Sequence, residues 1–225
     1  MTVLESDTRL RVAGAIEKNE ADATLKALEG LAQRSGMDQP PPLASDGHNG
    51  CAEAMVEVWG KAPQRKKGPG RPPKKKAAAP SWQHLKVVKN RQEKLPSAQL
   101  PNPDSYREVV FGQVDEVSRL LGHGTVHVER THLTMRHFNG RLVRKGLGFS
   151  KKLEMHRAAA AWENLYYNFG HTVRTLKVPA NTVVKGRFKI KWIHRTPAWA
   201  AGLASHIWSV KELLYSIPIQ QHFSG

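Results

Sequence analysis

The chain has 225 residues, 40% of them hydrophobic, with 35 Lys and Arg against 19 Asp and Glu, a formal charge of +16 and an isoelectric point near 10.2. That length accommodates one buried core with extended arms rather than two generous domains, and the charge points to a polyanion: DNA, RNA or an anionic membrane surface. No stretch approaches the roughly 20 apolar residues of a spanning helix, MTVLESD has neither the basic nor the apolar region of a leader, and Cys51, the single cysteine, excludes an internal disulfide and a thiolate zinc cluster and fits a reducing cytoplasm.

In chain order, Leu10, Val12, Gly14 and Ile16 alternate with Arg11, Ala13 and Ala15 as in a strand, and Ala21 to Ala32 carries Leu25, Leu28 and Leu31 at helical spacing. Asn19 is placed to cap that helix, with Asp22 three residues on. Leu43-Ala44 leads as a short strand into Ser45-Asp46-Gly47, and Ala52 to Trp59 is helical. Strand, helix, strand, helix with short connections predicts a parallel α/β sheet over residues 1–60. In such sheets functional groups gather at the carboxyl ends of strands, where Asp46 stands, and Gly47 lets the backbone turn near a ligand.

Between Lys61 and Lys94 twelve basic residues face one acid, Glu93, so that this stretch carries +11 of the chain's +16. Pro63, Pro69, Pro72, Pro73 and Pro80 oppose regular structure, so residues 61–100 are expected to form an extended basic arm. Gly68-Pro69-Gly70-Arg71-Pro72 resembles the core of an AT-hook, whose arginine lies along a narrow minor groove; a solvated basic linker is the alternative. Arg65, Lys66, Lys67, Arg71, Lys74, Lys75 and Lys76 are its candidate DNA contacts.

Over 101–177, Val109 to Gly112 predicts a strand and Val114 to Leu121 a helix stopped by Gly122. Thr125 begins a helix carrying Glu129, closed by Asn139-Gly140 as a C-cap. Ser150 caps a further helix whose apolar stripe is Leu153, His156 or Ala159, Trp162, Leu165 or Tyr166, and Phe169. Its aromatics read as core rather than as a stacking platform. Residues 178–225 read as an irregular basic and aromatic tail.

The stretch HVERTHLTMRHFNGRLVRKGLGFSKK, His127 to Lys152, sets one acid, Glu129, among Arg130, His132, Arg136, His137, Arg141, Arg144 and Lys145. On a helix, Glu129, His132 and Arg136 share a face, holding a carboxylate beside groups that bind phosphate oxygens, as metal-assisted cutting of DNA requires. An ordinary charged helix face with an i,i+3 pair is the alternative reading. His127, His132 and His137 are each five apart, poor spacing for zinc on a helix, so His132 and His137 are expected to contact phosphate or support Glu129.

The run V-E-R-x-H-L-x-x-R-x-x-x-x-R-L-x-R-K-x-L-x-F-S-K, Val128 to Lys151, resembles the signature around the last acid of DDE transposases from bacterial insertion sequences. SDGHNGCAEAMVEVWG (Ser45 to Gly60), RKKGPGRPPKKK (Arg65 to Lys76) and RTPAWAAGLASHIWSVKELL (Arg195 to Leu214) are similar to the same family, in its order. The resemblance implies an α/β, ribonuclease H-like mixed sheet with flanking helices, two Mg²⁺ or Mn²⁺ ions bridged by carboxylates, and in-line attack on a phosphodiester. It assigns Asp46 and Glu129 as the second and third catalytic, metal-binding acids, with 82 residues between them. It also implies that the opening strand with the first aspartate lies outside this sequence, since Asp7-Thr8-Arg9-Leu10 matches a later strand; Glu5 and Asp7 are the substitutes on offer. The resulting expectation is a DNA-binding transposase, a truncated copy or one read from a misassigned start, with weakened metal binding and impaired transposition, associated with the bacterial nucleoid, pairing with itself or with full-length transposase. Its alternative is a non-enzymatic DNA binder that inhibits the full-length enzyme. A basic RNA-associated protein is a third reading, resting on charge alone.

Overall fold

The structure is a computed structural model that describes residues 1–47, 50–62, 75–88, 106–143, 147–148, 150–184 and 187–216, with backbone only over 181–184 and 187–190. It is mixed α/β, and the chain divides into two compact units, Met1–Val3 with Ala13–Thr131, and Leu4–Val12 with His132–Gly225.

In the first unit, β1 (Thr2–Leu4) and β2 (Arg11–Gly14), which continue into the second, form a two-stranded sheet. Helix α1 (Glu20–Ser35) starts as the sequence predicts: Asn19 Oδ1 accepts from Asp22 N at 2.7 Å, and Gly36 closes the helix at φ 61°. Its face of Ala23, Thr24, Ala27, Leu28 and Leu31 is buried and packs against α2 (Gly50–Trp59), which buries Cys51, Ala54, Met55 and Trp59. The spacing of three and four that produces these faces is the reason both segments are helical rather than extended.

The sheet differs from the expected parallel arrangement of strands before residue 60. β3 (Leu43–Asp46) does not pair with β2; its parallel neighbour is β4 (His84–Val88), and β5 (Tyr106–Phe111) pairs antiparallel to β4, giving the order β3-β4-β5. The central strand therefore comes from within the segment read as an arm. His84-Leu85-Lys86-Val87-Val88 satisfies the strand pattern once Pro80 is past, and Leu85 and Val87 are buried with Val117 of α3 (Val114–Leu121), backed by Ala44, Val109 and Leu121. Two glycines fix the connection. At Gly112, φ is 99° and a Cβ would lie 2.8 Å from Val117 Cγ2 and 2.9 Å from the Trp82 carbonyl; at Gly124, φ is 55° and a Cβ would lie 3.1 Å from Val87 Cγ2. Only glycine takes both conformations cheaply.

Helix α4 (Val126–Phe138) runs from the first unit into the second. As expected it ends at Asn139, whose N–H donates to Met135 O at 2.9 Å, though without a left-handed glycine; Asn139 Oδ1 then caps a 3-10 turn, Gly140–Leu142, accepting from Arg141 N at 3.1 Å. In the second unit α5 (Leu153–Phe169) begins at Lys152. Ser150 makes no cap there; it accepts from Arg141 Nη1 at 3.0 Å and lies 3.3 Å from His156 Nδ1. The most deeply buried face of α5 is Ala160, Glu163 and Tyr167, and the predicted apolar stripe flanks it half-buried. The offset follows from Arg11 of β2. Its buried Nη1 donates to Glu163 Oε1 at 2.7 Å and Asn164 Oδ1 at 3.0 Å, and the guanidinium lies 3.7 Å from the centre of the Tyr167 ring. Asn168 then exchanges hydrogen bonds with the Arg11 backbone, both at 3.0 Å.

The described part of the carboxy-terminal tail, up to residue 216, holds regular elements where an irregular tail was expected. β6 (Val178–Val184) and β7 (Arg187–Ile193) form a separate antiparallel ribbon, followed by α6 (Pro197–Ala200) and α7 (Val210–Ser216). Thr196 Oγ1 caps α6, accepting from Trp199 N at 3.2 Å. Ser209 and Glu212 form a reciprocal capping box on α7, in which Glu212 Oε2 accepts from Ser209 N at 2.7 Å. The Ser209 N–H, then the His206 ring and the Ser209 hydroxyl, hold the Glu212 carboxyl down at about 2. α5 packs against both short helices, with Phe169 and Trp208 rings 4.7 Å apart.

Candidate functional site

Asp46 is the last residue of β3, exposed, opposite Val87 in the parallel register. Ser45 is buried while Asp46, at the end of the strand, is exposed; by strand alternation Asp46 lies on the face of Ala44, which packs against Leu85 and Val87. The buried Ser45 Oγ lies 2.9 Å from His84 Nε2 on β4, tying the two parallel strands beside the acid. Burial, with help from nearby Lys86, lowers the His84 pKa to about 4, so its ring is neutral at neutral pH. Burial likewise pushes the Cys51 thiol up to about 11, which removes it as a nucleophile. Gly47 has no left-handed φ, and a Cβ there would meet Val88 Cα at an ordinary 3.7 Å. The backbone at Gly47 itself therefore does not demand glycine.

Glu129 reaches the same unit by another route. The turn after α3 brings Gly124 against Val87, the residue opposite Asp46. Thr125 follows, is buried, and its Oγ1 donates to Glu129 Oε1 at 3.0 Å, while Glu129 N donates to Thr125 O at 3.0 Å in the first bond of α4. Glu129 is thus an exposed carboxylate in the first turn of a helix, where the macrodipole favours negative charge. Asp46 and Glu129 both offer hard oxygen donors of the kind that Mg²⁺ or Mn²⁺ takes. Among the described residues no group of three or more His, Cys, Asp or Glu is gathered as for a metal ion, and the pair stands as two acids.

On α4, Thr131 and Met135 are buried. Glu129 and Arg130 are exposed, and His132 and Arg136 half-buried. Arg141, in the 3-10 turn, is exposed and held by Ser150. Lys75 and Lys76 are both exposed, Lys76 in a surface ion pair with Glu57 at 2.8 Å. Arg65, Lys66, Lys67, Arg71, Lys74, Arg144 and Lys145 lie outside the described residues, as does the AT-hook-like Gly68–Pro72. Glu5 is not a spare ligand: its carboxylate caps a tight turn, accepting from Asp7 N at 2.9 Å, from Thr8 N at 2.7 Å and from the Thr8 hydroxyl. The Ser45–His84 pair and the Thr125 brace on Glu129 were missed by the sequence reading. The alternation in His84–Val88 was the available signal for the first, and the i,i+4 spacing of Thr125 and Glu129 for the second.

Compared with protein-family models, curated proteins and solved structures, the chain matches none. Among the described residues no helix is long and apolar enough to cross a membrane.

Proposed function

We propose that this chain is a DNA-binding protein of the DDE transposase type, with a ribonuclease H-like core in which Asp46 and Glu129 hold a divalent cation. One observation carries the reading: two exposed carboxylates, remote in sequence, end β3 and begin α4 within one compact unit, linked through Val87 and Gly124. A bound Mg²⁺ or Mn²⁺ would stabilise charge on the phosphodiester and its leaving oxygen. The chain's part is to position: the Ser45–His84 bond fixes the strand end under Asp46, and Thr125 fixes the Glu129 rotamer. Arg130, His132, Arg136 and Arg141, with Lys75, Lys76 and the basic residues Arg65, Lys66, Lys67, Arg71, Lys74, Arg144 and Lys145, supply phosphate contacts. With two carboxylates, cation binding is weak and strand cleavage and transfer are slow. The second reading, a non-catalytic DNA binder that competes with or pairs with an intact transposase, is favoured by that count of two matched acids.

The test is purified protein on supercoiled plasmid with Mg²⁺ or Mn²⁺. Nicking that disappears in Glu129→Gln and Asp46→Asn while DNA affinity is retained supports the enzyme. Binding without nicking moves the assignment to the second reading, and absence of DNA binding overturns both.

A further inference from the structure

The two faces of the β3-β4-β5 sheet treat their charges differently. On the face of Ser45 and His84, Lys86 of β4 and Glu108 of β5 stand opposite each other and form an ion pair at 3.4 Å. On the face of Asp46 the charges are kept apart. Asp46 stands opposite Val87 of β4, and Val87 stands opposite Arg107 of β5, so that acid, valine and arginine form one row across three strands. Two strand spacings, about 10 Å, separate the outer two. Arg107 is exposed, and its guanidinium has no hydrogen-bond or ion-pair partner among the described residues.

The row lies at one end of the sheet, where the parallel β3 and β4 finish and the antiparallel β5 starts. Ends of this kind are where open α/β sheets gather functional groups. The turn into α4 crosses the middle of the row: a Cβ on Gly124 would lie 3.1 Å from Val87 Cγ2, and Glu129 follows in the first turn of the helix. Asp46 and Arg107 therefore flank the turn that delivers Glu129, all within the first unit. Protection of the β5 edge does not account for this placement, since Glu108 already charges that edge from the other face.

We infer that Arg107 is a further catalytic residue of the proposed cleavage site, binding a non-bridging oxygen of the scissile phosphodiester. Two carboxylates cancel the charge of one divalent cation, so the phosphodiester, and the charge that builds on its oxygens in the transition state, need a positive group beside the acids. In the step itself a water oxygen bonds to phosphorus and the bridging P–O bond breaks; the water gives up a proton to solvent, and the leaving oxygen takes one from it. An arginine suits the developing charge because its planar fork donates two parallel N–H bonds to a phosphoryl group and stays protonated. The inference rests on the cleavage reading and adds a third group to its site.

The test uses the full chain on supercoiled plasmid with Mn²⁺, the protein in excess so that a single turnover is followed, and fluorescence anisotropy on a short DNA duplex for affinity. Arg107→Gln is compared with wild type and with Lys18→Gln, a charge-matched change at an exposed position of the same unit. Loss of one donor aimed at transition-state charge lowers the rate roughly 100- to 1,000-fold. Arg107→Gln is expected to nick that much more slowly at saturating protein, with affinity within about threefold of wild type and a salt slope changed by no more than about 0.9. Arg107→Lys, which keeps the charge and loses the fork, is expected between the two. Nicking by Arg107→Gln at the rate of Lys18→Gln overturns the inference, leaving the arginine as edge charge and the two-acid site standing. A loss of affinity as large as the loss of rate overturns it too, making Arg107 one more contact to the DNA backbone. Wild type that binds DNA without nicking it overturns the cleavage reading and the inference with it. If Arg107→Gln melts lower than wild type by circular dichroism, Arg107→Lys decides, with a loss of roughly tenfold in rate at unchanged affinity expected and no loss overturning the inference.

Discussion

Removing one partner of the Arg11–Glu163 pair should be among the most damaging single changes to the second unit. The two side chains are 1% and 5% exposed, so solvent screening gives no relief, and an orphaned buried charge costs about 3–5 kcal/mol. The two halves are unequal. In Glu163→Leu the guanidinium keeps Asn164 at 3.0 Å and the Tyr167 ring at 3.7 Å, a desolvated cation–π contact of about 2 kcal/mol, so the cost should sit near 3 kcal/mol. In Arg11→Met the Glu163 carboxylate, whose Oε2 has no hydrogen-bond partner among the described residues, is stranded and the cost should approach 5 kcal/mol. Arg11 Nε and Nη2 also lack partners among the described residues, so the pair itself is incompletely satisfied. The double variant Arg11→Met, Glu163→Leu should therefore be milder than either single change. Urea unfolding at pH 7, followed by far-ultraviolet circular dichroism, measures all four proteins; thermal midpoints should fall by roughly 6–20 °C in the single variants. Singles that each cost under about 1 kcal/mol, or a double that costs their sum, would refute the reasoning.

Other outcomes can be checked alongside. His84 has a folded pKa near 4 against about 6.5 unfolded, so its contribution is whole above pH 6.5 and is lost as pH falls toward 4, about 3 kcal/mol in all; His84→Leu should show less acid sensitivity by that amount, and an unchanged pH profile would contradict it. Gly112→Ala forces a Cβ against the Trp82 carbonyl at φ 99° and should cost more than about 2 kcal/mol in the same unfolding assay. Asn19→Ala removes the α1 cap and should cost about 1 kcal/mol. Neutralising Lys74, Lys75 and Lys76 should weaken DNA binding and its salt dependence with no effect on any metal-dependent step, whereas Glu129→Gln should do the reverse.

What could be read from the sequence was local. Asn19 and Asp22 announce α1 within one turn, Gly122 follows α3, and the short strand ending at Asp46 needs only its neighbours. What escaped was set by partners far along the chain or hidden by charge. The buried face of α5 turns on Glu163, whose reason for burial, Arg11, is 152 residues away. β4 was concealed in a lysine-rich stretch although His84–Val88 alternates, and the Phe188, Ile190 and Trp192 alternation of β7 was masked by Lys189 and Lys191 between them. Thr196-Pro197 and Ser209 with Glu212 were usable helix-start signals in the tail. Asp46 and Glu129 were named from family resemblance; Thr125 and Ser45, which orient them, do no chemistry that a motif would advertise.

The exchange of backbone bonds between Lys61 and Ala77, at 3.3 and 3.0 Å, closes the chain on itself on either side of the most lysine-rich stretch. Doubling the length of a closed loop adds only about 0.6 kcal/mol of entropy cost. Variation in the number of lysines carried between those two anchors is thereby uncoupled from α2 and from the β3-β4-β5 sheet outside them, so insertions and deletions there can retune electrostatic reach while the fold stays put.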